Sequence, residues 1–180
     1  MATFDAYLKL DGIDGESTEQ THTGWIEVLS WSWGVSQPGQ KMTVGTGVVT
    51  AGKPSIQVFT IGKRIDMASP KLLLDCVTGK HITSASLDVV RRVGGDVAGG
   101  GSTESFMHIK LSNLLVSSFH PSELLVASSQ SPVGLQADGI PVEIVSFNFE
   151  KIRFEYDKFD AAGGSAAVIA TYDIKTAKGA

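Results

Sequence analysis

The chain has 180 residues, a net charge of −4 and only 19% charged residues, enough length for one domain with a sizeable core spanning residues 1–180. That charge balance excludes the basic footprint of a nucleic-acid binder and the polybasic patch of a membrane-surface protein. The lone cysteine, Cys76, excludes an intrachain disulfide, and no apolar run approaches the ~18 residues of a membrane span.

The first element is FDAYLKL, residues 4–10, which alternates and then meets Asp11-Gly12, a turn signal repeated at Asp14-Gly15. The opening MATFDAYLKLDG lacks the basic-then-apolar order of a cleaved signal peptide. The expectation is a protein made in the cytoplasm, with export possible by a route needing no such signal. WIEVLSWSWGVS follows as a strand. From Leu29 onward it places Leu29, Trp31, Trp33 and Val35 on one side and Ser30, Ser32, Gly34 and Ser36 on the other. Residues 34–53 are rich in Gly and Thr and poor in regular signal, a loop length usually reserved for function. SIQVFTIGKRI is the next strand. SPKLLLDCVTGK is the one convincing helix, with Ser69 as N-cap, Pro70 in the first turn and Gly79 just past the end. ITSASLDVVRRV and ESFMHIKLSNLLVSSF read as a hairpin around GGDVAGGG. In VEIVSFNFEKIRFEYDKF, Val145, Phe147 and Phe149 share one parity and Ile152, Phe154 and Tyr156 the other. That predicts a bulge or bend at Glu150-Lys151. Fifteen residues at ~3.3 Å each are long for such a domain, so this strand serves two sheets or reaches a neighbour. AAVIATYDIK is the last strand. Many strands with one helix predict a mainly β fold, a small antiparallel β-barrel with a short flanking α-helix.

Catalytic parts are scarce. GVVTAGK, residues 47–53, has the spacing of a phosphate-binding loop. Pro54, however, occupies the magnesium-ligating position, and a strand follows where a helix is needed. His22, His81, His108 and His120 are not spaced as metal ligands. His81 follows the helix exit, where a cation suits the dipole. His108 alternates out of an apolar strand, and His120 precedes a proline in a turn. Asp11, Asp14 and Glu16 lack the alternating oxygens of a calcium loop. Cys76 lies among leucines as a small core residue. The residues call for no metal, no cofactor and no enzyme.

Trp31 and Trp33, sharing a parity with Leu29 and Val35, read as core together with Cys76, Phe147 and Phe149, and not as an exposed stacking platform. The serines opposite them line a wet face, or one that something else passes.

Taken in order, FDAYLKLDGIDGES, WIEVLSWSWGVSQPG, the glycine-rich loop, SPKLLLDCVTGKHI, FNFEKIRFEYDK and the closing Tyr172-Asp173-Ile174-Lys175 run resemble the haemolysin-coregulated protein (Hcp) family of type VI secretion systems. The segments at residues 41–50 and 124–139 depart from the family pattern. The resemblance implies a hexameric ring of β-barrels that stacks into the inner tube of a contractile injection machine. Its partners would be further copies of itself, a spike protein, a contractile sheath and effector proteins held in the pore, with export out of the cell or into target cells. Under that resemblance Ser30, Ser32 and Ser36 become candidate pore-lining residues. Gln40, Lys41, Met42, Thr43, Val44, Val48 and Val49 become a candidate ring-stacking loop. The competing reading is a monomeric barrel that binds a small ligand in its own interior.

Overall fold

The computed structural model describes residues 4–38, 52–93, 102–122, 141–159 and 165–179. In chain order its elements are β1 (Phe4–Leu10), β2 (Ile26–Val28), β3 (Ser30–Ser32), β4 (Val35–Ser36), β5 (Ser55–Ile56), β6 (Phe59–Arg64), α1 (Ser69–Thr78), β7 (His81–Val93), β8 (Ser102–Ser122), β9 (Val142–Phe159), β10 (Ser165–Asp173) and β11 (Lys178–Gly179). The segments at 94–101 and 124–139 lie outside the described residues, as do the proposed stacking residues Gln40 to Val49.

Period-two alternation is converted into antiparallel pairing throughout. One nine-stranded sheet runs β11-β10-β9-β8-β7-β1-β2, with β6 also on β9 and β3 on β6. The ladders do not close into a complete barrel. The chain itself bridges the gap: β2 pairs with β1, and after Leu29 donates its N–H to the Gly62 carbonyl at 2.8 Å, β3 pairs with β6. The single expected strand from Trp25 to Ser36 is therefore three short pieces, because each piece serves a different neighbour. The third, β4, forms a separate two-stranded ladder with β5.

The core lies on one side of this sheet, built on Leu8, Ile26, Ile61, Leu87, Ile109 and Phe147. Strand β9 organises it. One edge follows β8 over 142–156, while the other takes β6 over 142–147 and β10 over 151–159. The long strand thus serves two partners on one edge. Its parity changes where the sequence predicts: Val145, Phe147 and Phe149 are buried, then Ile152. The change coincides with a matching switch in β8, from Leu111 to Leu114 across Asn113 at φ 51. Register is unbroken there. The register irregularities fall elsewhere, between Val89 and Val90 in β7 and between Val116 and Ser118 in β8.

Three local expectations need correction. Ser69 is not the N-cap of α1. The cap position is Ala68, and the Ser69 hydroxyl accepts the Asp66 N–H at 3.0 Å. Gly79 does end the helix, at φ 66. Gly15 is no turn residue: an added Cβ would stand 2.4 Å from the Trp25 carbonyl oxygen, so it is glycine because two backbones meet there. His120 is not in a turn either but within β8, opposite Ile144.

The parity of Phe59 and Ile61 carries Lys63 inward, and that of Val145 carries Glu143 inward. The two are directly paired and fully buried, with Lys63 Nζ 2.8 Å from Glu143 Oε1 and 2.6 Å from Asp66 Oδ1. Ser69 donates to the same Glu143 oxygen at 2.9 Å, which ties the start of α1 to β6 and β9.

Candidate functional site

Ser30 and Ser32 lie on the sheet face turned away from the core. Ser30 is opposite Gly62 and Ser32 opposite Thr60. The register continues across the sheet from Thr60 to Ser146 and from Ser146 to Ser118. Four strands, β3, β6, β9 and β8, thus contribute one row of hydroxyls: Ser32, Thr60, Ser146 and Ser118. Thr60 Oγ1 and Ser146 Oγ are hydrogen-bonded at 3.0 Å. Gly62 makes room beside the row, since a Cβ there would lie 2.6 Å from Ser30 Oγ. Ser36 is not part of this ladder. It pairs with Ser55 in the β4–β5 stem, where Gln37 also reaches the Gly52 carbonyl. Sequence reasoning found Ser30 and Ser32 but missed Thr60, Ser118 and Ser146. The signal was present for two of them: Thr60 and Ser146 sit at the parity opposite buried Ile61 and Val145, whereas Ser118 shares the parity of buried Val116 and joins the row only through the register irregularity between Val116 and Ser118. What could not be read was that the rows align.

Phe147 and Phe149 belong to the buried core. Trp31, Trp33 and Cys76 are half-buried and pack against it. Trp33 stands 6.4 Å from Phe154, centroid to centroid, in a rim trough of about 400 Å³ shared with Val35, Ile56, Ile152 and Tyr172. Val35, expected on the core side, is 60% exposed, because β4 leaves the main sheet.

A second polar constellation covers the same outward side at the other margin. His22 is buried between Glu19, 2.8 Å from Nδ1, and Asp88, 3.2 Å from Nε2, and its ring stacks on Tyr7 at 4.7 Å. Asp88 also meets His108 Nδ1 at 2.7 Å, and His108 Nε2 lies 3.4 Å from Asp157. Desolvation pushes the Glu19 carboxyl up. Hydrogen bonds from the Thr21 and His22 side chains, the Thr21 N–H and Thr103 outweigh that and hold it at about 2. Asp173 is likewise lowered, chiefly by the Thr176 N–H it accepts. Among the described residues, no group of three or more His, Cys, Asp or Glu side chains is arranged to hold a metal ion. His81 meets Asn113 at 2.9 Å.

The sequence and the fold match proteins of one kind. The family model described as type VI secretion system effector, Hcp, matches residues 7–156. The chain belongs to the Hcp family. It is 33% identical over 159 residues to Protein hcp1 of Pseudomonas aeruginosa, covering 88% of this chain and 86% of that one. Among solved structures, one described as a type six secretion system protein superposes with a TM-score of 0.79 at 29% identity, covering 99% of this chain and all of the other. Hcp1 from Salmonella typhimurium gives 0.70 at 31% identity with full coverage of both. As an Hcp protein, this chain is a secreted subunit of the type VI secretion tube that assembles with copies of itself. The monomeric ligand-binding barrel is not favoured. Among the described residues, no helix is long and apolar enough to cross a membrane.

Proposed function

We propose that residues 1–180 act as one Hcp domain that closes into rings of six, and that the Ser32, Thr60, Ser146 and Ser118 row, with Ser30, faces the lumen through which effector proteins pass. The observation that carries this reading is the row itself, four small hydroxyl residues in register on four adjacent strands. A conduit for varied cargo needs a surface without large apolar patches that would trap it. Ser36, in the separate β4–β5 ladder, is a further lumen candidate, and residues Gln40 to Val49 reach the next ring in the stack. A spike protein caps the tube and a contractile sheath surrounds it. The chain serves as wall and carrier, without catalysis, and is delivered into target cells.

Ser32→Arg tests the lumen assignment. Ser32 is exposed, so the change costs stability less than about 0.5 kcal/mol. Light scattering should still give six times 19.0 kDa, while cargo retention and export fall. Normal cargo handling by intact rings would move the lumen to another face, and a monomer in the wild type would remove the ring.

A further inference from the structure

Residues 11–25 form a strap between β1 and β2, folded on itself by Gly15 N–H to Gly24 O at 2.9 Å and Ser17 N–H to Trp25 O at 2.9 Å. His22 fastens the strap to the sheet and is 3% exposed. This contact opens a row of alternating groups: Glu19, His22, Asp88, His108, Asp157.

Donor counting decides what the row requires. An ionised carboxylate only accepts, and an imidazole has N–H on both nitrogens only when it carries its second proton. Here both nitrogens of both rings face carboxylate oxygens, at 2.8 and 3.2 Å for His22 and at 2.7 and 3.4 Å for His108. Thr21 strengthens the point. Its one hydroxyl proton goes to Glu19 Oε2 at 2.7 Å, leaving its oxygen to accept from His22 Nδ1 at 2.8 Å. Two protonated rings nearly balance three carboxylates. Two neutral rings would turn a lone pair toward a carboxylate at each ring and leave the three negative charges uncompensated.

We propose that this row is a proton-operated latch, which holds the strap against β1, β7 and β8 while both imidazoles are protonated and releases it as they lose a proton. Other charged or titratable groups share this face: Glu27 on β2 lies opposite Tyr7, and Asp5 is on the parity of Tyr7 in β1. Lys9 lies 5.9 Å over Trp25, and Tyr7 stacks on His22. Glu155, opposite His108 on β9, is held by Arg153 at 3.1 Å, and Glu104 is 3.5 Å from Arg91. Lys110, next along β8, is exposed. Glu19 stays ionised well into acid, so it remains an acceptor for the His22 ring across the range of the test.

Hydrogen exchange of peptides covering residues 15–25 in the assembled protein, corrected for intrinsic rates, tests this between about pH 5.5 and 8.5. Strap opening should rise about tenfold across that range, the factor carried by one charge-assisted hydrogen bond. His22→Gln and His108→Gln should flatten the rise to about twofold, while His120→Gln, on an exposed residue outside the row, should keep the wild-type profile. If His22→Gln does not fold, His108→Gln decides. Selective ¹⁵N labelling of histidine gives a measurement free of variants, with both rings doubly protonated at about pH 6. A flat wild-type profile, an unchanged profile in the His108 variant, or singly protonated rings at that pH would each overturn the latch, whatever the fate of the lumen assignment.

Discussion

Lys63→Met removes a charge from a place where water cannot replace it. The Lys63 side chain is fully buried, and its ammonium is ion-paired with Glu143 Oε1 at 2.8 Å while donating to Asp66 Oδ1 at 2.6 Å, the Arg64 carbonyl at 2.8 Å and Ser69 Oγ at 3.2 Å. Glu143 is equally buried. Without Lys63 its Oε1 keeps only the Ser69 hydroxyl, and its Oε2 already has no hydrogen-bond partner. Leaving that carboxylate uncompensated costs about 3–5 kcal/mol. At about 2–4 °C per kcal/mol for a chain of this size, the melting temperature should fall by about 6–20 °C. Lys63→Met combined with Glu143→Leu removes both charges from the interior and should recover most of the loss, because the destabilising element is the orphaned charge and not the absence of the pair. Differential scanning calorimetry at one fixed protein concentration, so that assembly contributes equally, reads the result. A single variant melting within about 2 °C of wild type, or a double variant less stable than the single, would refute the reasoning.

Phe147→Ala should destabilise by about 3–5 kcal/mol, since the ring is fully enclosed, whereas half-buried Trp31→Ala should cost about half as much. Urea unfolding of the two variants orders them, and equal losses would mean that Trp31 is as enclosed as Phe147. Glu19 gives a sign-definite acid response. Its carboxyl is lowered from 4.5 to about 2, so its contribution is complete above pH 4.5 and is lost as pH falls toward 2. Glu19→Gln should therefore flatten stability over that acid range, and an acid limb identical to wild type would show that the carboxyl carries no linkage.

Sequence reasoning reached what alternation and turn chemistry encode locally. The β1 strand, the helix end at Gly79, the β7–β8 hairpin and the parity change in β9 were legible because each depends on residues within a few positions of one another. The Ser30 and Ser32 face was legible for the same reason, since pleating alone separates it from Trp31.

What the tertiary structure alone decided concerns which distant strand each parity meets. The run from Trp25 to Ser36 alternates well enough for one strand, yet hydrogen bonding divides it among β1, β6 and β5, so Val35 ends up exposed. Lys63 and Glu143 each break an apolar parity, and only their pairing, 80 positions apart in the chain, makes burial tolerable. His22, Asp88, His108 and Asp157 likewise carry no common spacing. Register and hydrogen-bond partners are properties of two strands at once, and period-two alternation in one strand leaves the choice of the other open.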